Sequence, residues 1–438
     1  MQKKIFLLWL IAGFFFQPIR AETLLELYRL AEQNDPQLKI ANQERLATLE
    51  KKSQARAPLS PQLTLGADAT ENLHTENWMS GNDLENTSIG YNVSLSYALY
   101  RRDLKIQLEQ VDSKIQQAEA SYESARQNLM ERLSSSYFQI LAANDNLKFA
   151  QSAKQAFKRQ LDEARQRFEV GLIAITDVEE AQAGYDLAVA DEISAQNELD
   201  NAQEALREIT GSYHRVLAAL DEKTPLLEPE PADIDAWTKI ALEQNPELLA
   251  AQSAVKEARQ EIEKQRAANL PTIDLVGRHS YSDVIRGNDN PPGSLATNNS
   301  VGIQLNYFLY EGGAIRSRIK EAQLRHVQVL DRLEQQRRAI QLETRQAYLT
   351  LRSNISRVKA LKQALKSTET ASQAVQTGFE LGTRTSVDVV NAQRDLLSAQ
   401  RNYSGARYDY VLNSLRLKKA AGLLNVEDLA GINKWLTQ

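Results

Sequence analysis

The sequence predicts a mixed α and β membrane protein with an internal duplication, in which long coiled-coil helices carry four β-strands per chain. Three observations predict it. Between Arg101 and Val170 there is neither Gly nor Pro, the residues that most often break a helix. Ile89, Tyr91, Val93, Leu95, Tyr97 and Leu99 alternate with Ser88, Gly90, Asn92, Ser94, Ser96 and Ala98, the period of a strand with one apolar face. Finally, motifs of the first half recur about 210 residues later.

Residues 1–21 read as a secretory signal, with Lys3 and Lys4 as its basic start, Ile5 to Phe16 as its apolar core and Ala21 before the cut. The apolar stretch is shorter than the roughly 20 residues a membrane helix needs. Helix 1 is expected from about Leu24 to Arg56, stopped by Pro58 and Pro61. A strand pair is expected near Gln62–Thr70 and Thr87–Tyr100. Twelve to fourteen residues is long for a soluble strand and suits a tilted membrane strand of ~9–11 residues with its ends.

The long helix from Leu104 to about Phe168 is rich in good helix formers. At ~1.5 Å per residue it spans roughly 100 Å. Leu104, Leu108, Val111, Ile115, Ala118, Tyr122, Ala125 and Leu129 step by four and three, the coiled-coil seam. Past Leu133 Asn144, Gln151, Lys154 and Lys158 fall on that seam, which predicts looser packing at the distal end. A turn at Val170-Gly171-Leu172 follows, then a helix over Ile175–Thr210.

The second half repeats this plan. Glu32-Gln33-Asn34-Asp35-Pro36 resembles Glu243-Gln244-Asn245-Pro246, Pro61-Gln62-Leu63 matches Pro271-Thr272-Ile273, and Phe168-Glu169-Val170-Gly171 matches Phe379-Glu380-Leu381-Gly382. Self-similarity of this kind marks a unit written twice. The expected division is a signal at 1–21, a first repeat over 22–215, a linker at 216–233 in an equatorial region, a second repeat over 234–424 and a C-terminal tail at 425–438. Helices are expected at Ile234–Ala268, Ala314–Phe379 and Val387–Ala421. Val301, Ile303, Leu305, Tyr307 and Leu309 repeat the strand pattern. The inter-strand loops Glu71–Asn86 and Asp283–Asn299 are polar and read as solvent-facing tips.

Four strands cannot close a barrel, and an open sheet edge is not tolerated in lipid. The missing strands therefore come from further copies: two give eight strands and a bore filled by side chains, three give twelve and a lumen. In each half the two shorter helices end to end are about as long as the single long one, so they complete a helical shaft.

Charged residues make up 25% of the chain and its formal net charge is −5. Removing residues 1–21 takes away Lys3, Lys4 and Arg20 but no acid, leaving −8. No basic patch suggests nucleic acid. The absence of Cys excludes disulfides and thiolate metal sites, and His74, His214, His279 and His326 are scattered, so no metal or other cofactor is expected.

The chain resembles the TolC-family outer-membrane efflux proteins from Glu22 to Leu429. The most specific segments are Arg167-Phe168-Glu169-Val170-Gly171-Leu172-Ile173-Ala174-Ile175-Thr176-Asp177-Val178, Leu206-Arg207-Glu208-Ile209-Thr210-Gly211 and Leu381-Gly382-Thr383-Arg384-Thr385-Ser386-Val387-Asp388-Val389. The resemblance implies a homotrimer with one shared twelve-stranded transmembrane β-barrel and a periplasmic α-helical coiled-coil barrel, in the outer membrane of a Gram-negative cell. It implies an exit duct rather than an enzyme, with no cofactor, embedded in outer-membrane lipid. A periplasmic adaptor (membrane fusion) protein and an inner-membrane RND, ABC or MFS transporter would recruit it, in multidrug efflux or type I secretion.

The resemblance also implies roles for particular residues. Val170, Gly171, Leu172 and Leu381, Gly382, Thr383 occupy the adaptor-contacting tips, where each Gly also serves to end a helix. Thr176, Asp177 and Arg384, with Phe379, occupy an entrance latch in which Arg384 and Asp177 form a charge-assisted bond. Phe379 lacks the hydroxyl the family carries there, so one link is missing. Thr176 with Glu179 alternatively reads as a capping box, and Asp177 as a first-turn acid favoured by the helix dipole. Asp388 matches the first of two acidic rings at the pore entrance, and Asn391 stands at the second, a departure from the family pattern. Asp388 also reads as a helix cap.

Two other classes fit parts of the sequence. A structural coiled-coil protein of the periplasm explains the helices but not the alternating strands. A general porin explains the strands but has no use for two long helical hairpins.

Overall fold

In the computed structural model, residues 21–75, 83–214, 216–287 and 293–437 are described. The expected signal core and parts of both expected loop tips lie outside them. The chain divides into two compact units: residues 1–39, 126–238 and 344–438, and residues 40–125 and 239–343.

Chain order begins with α1 (Leu24–Asn34) and α2 (Pro36–Arg56), then β1 (Gln62–Thr75), β2 (Asp83–Tyr100), α3 (Arg102–Glu169) and α4 (Ile175–Thr210). The short β3 (Ala219–Leu220) leads to α5 (Ile234–Gln244), α6 (Pro246–Ala267), β4 (Thr272–Gly287) and β5 (Ser294–Asn306). The chain closes with α7 (Ala314–Glu380), α8 (Ser386–Ala420), α9 (Val426–Asn433) and β6 (Leu436–Thr437). No helix of the described residues is long and apolar enough to cross a membrane.

The two expected first helices of the repeats are each broken in two. Asp35 and Asn245 sit at ψ 120° and 123°, because a residue before proline is pushed out of the helical region. Each then caps the helix that follows. The Leu38 amide donates to Asp35 Oδ2 at 2.9 Å, and the Glu247 amide donates to Asn245 Oδ1 at 2.9 Å. The same device thus recurs in both halves.

In the unit of residues 40–125 and 239–343, four antiparallel strands form a sheet of order β1-β2-β4-β5. Residues opposite each other share a face, and one row across all four strands reads Leu63, Leu95, Gly277, Val301. The next row reads Thr64, Ser94, Arg278, Ser300. The first row lies on an apolar face, with Leu63 at 72% exposure and Val301 at 83%, and the second on a polar one. The expected continuation of β5 through Tyr307 and Leu309 does not form. Pro271 offers no N–H and β4 begins only at Thr272, opposite Asn306. Among the described residues β1 and β5 each have one unpaired edge. Around the helices, Ser113 donates to Gln260 at 2.9 Å, and Lys114 pairs with Glu257 at 3.2 Å.

The unit of residues 1–39, 126–238 and 344–438 holds the best-packed core. Tyr28, Tyr137, Phe138, Leu129, Met130 and Leu133 are at most 1% exposed. Tyr137 donates to the carbonyls of Ala218 at 2.7 Å and Glu22 at 3.2 Å. The C-terminal tail is structured: α9 packs on α1 and β6 pairs with β3. Burial pushes the Glu131 carboxyl up, but hydrogen bonds and charge from Lys419 and Arg416 outweigh this and hold it below the usual carboxylate range.

The distal part of α3 packs more closely than its sequence suggests. Leu147, Ala150, Ala153, Phe157, Leu161 and Ala164 are all buried, and their steps of three and four define a seam displaced from Asn144, Gln151, Lys154 and Lys158. Counted on by three and four from Leu129, the proximal seam itself reaches Ala150, Ala153, Phe157 and Ala164. This stripe meets Ala181, Ala188 and Ala195 of α4.

Candidate functional site

The two repeated turns end α3 and α7 in the same way. Gly171 and Gly382 have φ of 75° and 76°, a conformation glycine adopts without a Cβ clash. The Leu172 amide reaches back to the Arg167 carbonyl and the Thr383 amide to the Gly378 carbonyl, at 2.9 and 2.8 Å. With Gly171 donating to Phe168 and Gly382 to Phe379, each turn is a Schellman motif. These bonds satisfy two of the last carbonyls at each helix end and leave the turn side chains outside. Val170, Leu172 and Leu381 are 70–75% exposed. The structure therefore places Val170, Gly171, Leu172 at one turn and Leu381, Gly382, Thr383 at the other, each with apolar groups facing outward.

The helices after the turns start on carboxylates. Asp388 Oδ2 accepts from the Thr385 amide at 2.9 Å and from its hydroxyl at 3.0 Å, and the Asp388 amide donates back to the Thr385 hydroxyl at 3.3 Å. Those bonds to Thr385, with the Arg384 charge nearby, hold the Asp388 carboxyl below its usual range. The capping reading of Asp388 is therefore met, and capping keeps the group ionised. Asn391 is exposed one helical turn further on.

At the first turn the expected capping box of Thr176 and Glu179 does not form. α4 begins two residues earlier than that pattern requires, so Ala174 is the cap, and its amide donates to Asp177 Oδ2 at 3.2 Å. Asp177 is nonetheless a first-turn acid. Among the described residues Arg384 and Asp177 form no ion pair within one chain. The Arg384 stem instead lies against Gly378, where an added Cβ would come within 2.8 Å of Arg384 Cγ.

Phe379 has a partner that sequence reasoning missed. The Arg167 guanidinium carbon lies 4.8 Å from the centre of the Phe379 ring, within cation–π range. The same group pairs with Glu163 at 2.5 Å. No short-range signal exposes this contact, since the two residues are over 200 positions apart. By contrast, the role of Thr385 was readable in its spacing to Asp388.

Elsewhere, Glu22 Oε2 lies 2.6 Å from the buried His214, which also contacts Thr210 at 2.9 Å. Among the described residues no group of three or more His, Asp or Glu is placed to hold a metal ion.

Comparison with known proteins bears directly on this arrangement. A family model described as outer membrane efflux protein matches residues 27–212 and 237–423. The chain is 35% identical to the outer membrane protein TolC of Escherichia coli over 430 residues, covering 96% of this chain and 86% of that one. It is 29% identical to the alkaline protease secretion protein AprF of Pseudomonas aeruginosa, covering 96% and 89%. Among solved structures, the outer membrane protein VceC of Vibrio cholerae superposes with a TM-score of 0.75 at 20% identity, covering 91% of this chain and 96% of that one.

Proposed function

Because the chain belongs to the outer membrane efflux protein family, we propose that three copies assemble into one duct through the outer membrane, and that the two turns form its periplasmic entrance. The protein is an outer-membrane exit duct for efflux and type I secretion. The observation that carries the assembly reading is the sheet: four strands, an unpaired edge at β1 and at β5, and an exposed apolar face. Hydrocarbon leaves an unpaired edge unsatisfied, so each edge must find the opposite edge of a sister chain.

In this reading a periplasmic adaptor docks on the exposed apolar tips, and an inner-membrane RND, ABC or MFS transporter supplies the energy. The first test is physical. Exported chain extracted in detergent should run as a heat-sensitive trimer and conduct ions in planar bilayers. A lone water-soluble rod without conductance would overturn the reading. A deletion strain assayed for both drug sensitivity and protein secretion then separates the two cargoes.

The latch is proposed to act between neighbouring chains, with Arg384 of one chain reaching Thr176 and Asp177 of the next. Arg384→Ala should raise single-channel conductance. Conductance equal to that of the unaltered chain would remove Arg384 from the latch.

Asp388 is proposed to line the entrance, three copies around the threefold axis. Close like charges create a negative potential that favours cations. With Asn391 at the second position, block by multivalent cations should be weaker than for two acidic rings. Thr385 and the Arg384 charge lower the Asp388 pKa within each chain, whereas three close carboxylates push one another's pKa up. Cation selectivity, read as a reversal potential, should therefore fade as pH falls and the ring takes up protons. Asp388→Ala should abolish the selectivity at neutral pH, and unaltered selectivity would rule out the ring.

A further inference from the structure

The α3–α4 hairpin and the α7–α8 hairpin are joined unevenly along their length. Further from the turns, the buried Ala153, Phe157 and Ala188 take Val390 and Leu397 of α8 into their cluster. Closer to the turns, Leu161, Ala164 and Ala181 pack with Ile173, Val178 and Tyr185, all from the α3–α4 hairpin itself. Alongside lies a groove of about 750 Å³, with Arg159, Gln160 and Glu163 on one wall and Gln373, Gln376 and Gln393 on the other. Phe379 also lines it, and the Arg167 guanidinium lies over the ring of Phe379.

We propose that Arg167 is a positioning residue of the entrance: its contact with Phe379 ties the last turn of α3 to the last turn of α7 within one chain and holds the α7–α8 hairpin in place. This rests on the reading of the turns as the entrance. The geometry has a physical logic. Glu163 holds the guanidinium from one helical turn away, so the planar group is oriented before it meets the ring. A ring without a hydroxyl offers no hydrogen bond, but its face attracts a cation. The lost phenol link at Phe379 is thus replaced by a contact with a different helix end. The contact is weak enough to be broken and remade during transport, as a switch between two arrangements requires.

A competing role for Arg167 is to favour the C-terminal end of the α3 dipole. The two roles separate in planar bilayers with the full-length chain. Arg167→Ala and Phe379→Leu should each shift the equilibrium towards the high-conductance state by about 2- to 30-fold, the range one cation–π contact supplies. The double variant should shift it no further than either single one. Phe379→Tyr keeps the ring face and returns the phenol, so it should conduct no more than the unaltered chain. Arg167→Lys keeps the dipole charge but loses the planar stacking group, and should fall between the unaltered chain and Arg167→Ala. If the unaltered chain forms channels but Arg167→Ala conducts as it does, the tie is wrong while the duct reading stands. If Arg167→Lys conducts as the unaltered chain while Arg167→Ala does not, Arg167 acts through charge alone and the tie is again wrong. No channel from the unaltered chain would sink the duct reading itself.

Discussion

Val301→Arg should keep the chain out of the outer membrane. Val301 is 83% exposed and closes the row Leu63, Leu95, Gly277, Val301 across the sheet. On one side of it Leu275 pairs with Ile303 and Ile273 with Leu305, and on the other His279 pairs with Asn299, so the arginine would stand at one end of the aliphatic run. An arginine on a lipid-facing barrel surface costs up to about 2–4 kcal/mol, most at the midplane, and in a trimer the cost falls on each of three chains. The expected result is loss of heat-sensitive trimer from the outer-membrane fraction, with the protein degraded or left in the periplasm. Gln304→Lys is the control. Gln304 lies opposite Asp274 on the polar face, where an opposite charge across the strand pair is tolerated. If Val301→Arg assembled as well as Gln304→Lys, the apolar face would not be facing lipid.

Tyr137→Ala should be the most destabilising single change among the helices. The ring is fully buried and meets Phe138 edge-on, centres 5.5 Å apart at 75°. Truncating a buried aromatic costs about 3–5 kcal/mol through lost transfer energy and the cavity left behind. The hydroxyl adds a second loss. It satisfies the carbonyls of Glu22 and Ala218, which bring the first residues after the expected signal cut beside the linker, where the Ala218 amide also donates to the Glu22 carbonyl at 3.0 Å. Burial pushes the phenol well above its ordinary pKa, so it stays a donor at any working pH. Tyr137→Phe keeps the packing and should lose only about 1–3 kcal/mol, the cost of leaving buried polar groups unpaired. Both are measured as a shift in the denaturant midpoint of the helical circular-dichroism signal in detergent. Equal effects of the two variants would mean that the hydroxyl, and not the ring, holds this junction.

How much of this could be read in the residue order varies with the range of the interaction. The helix ends were legible to within a residue or two. Gly171 and Gly382 mark turns that need a positive φ, and the breaker-free run before each can only be helix. The breaks at Asp35 and Asn245 were also available, since a residue before proline leaves the helical region, yet the strength of the flanking helical pattern concealed them. The strand pairs were legible from period two. The end of β5 at Asn306 was not, because the alternation continues to Leu309 while the partner strand stops. The carboxylate cap at Asp388 follows from the Thr385 spacing, but Asp177 caps Ala174, a residue with no side-chain acceptor of its own.

Local rules operate over three or four residues, so the order of residues by itself determined the duplication, the long helices, the apolar strand faces and the family to which the chain belongs. The packing of the C-terminal tail on α1 and the meeting of Arg167 with Phe379 were decided only in the folded chain. Each depends on which face of one helix turns towards another far away in sequence. That rotation accumulates over many turns and is set by whatever burial the whole structure allows.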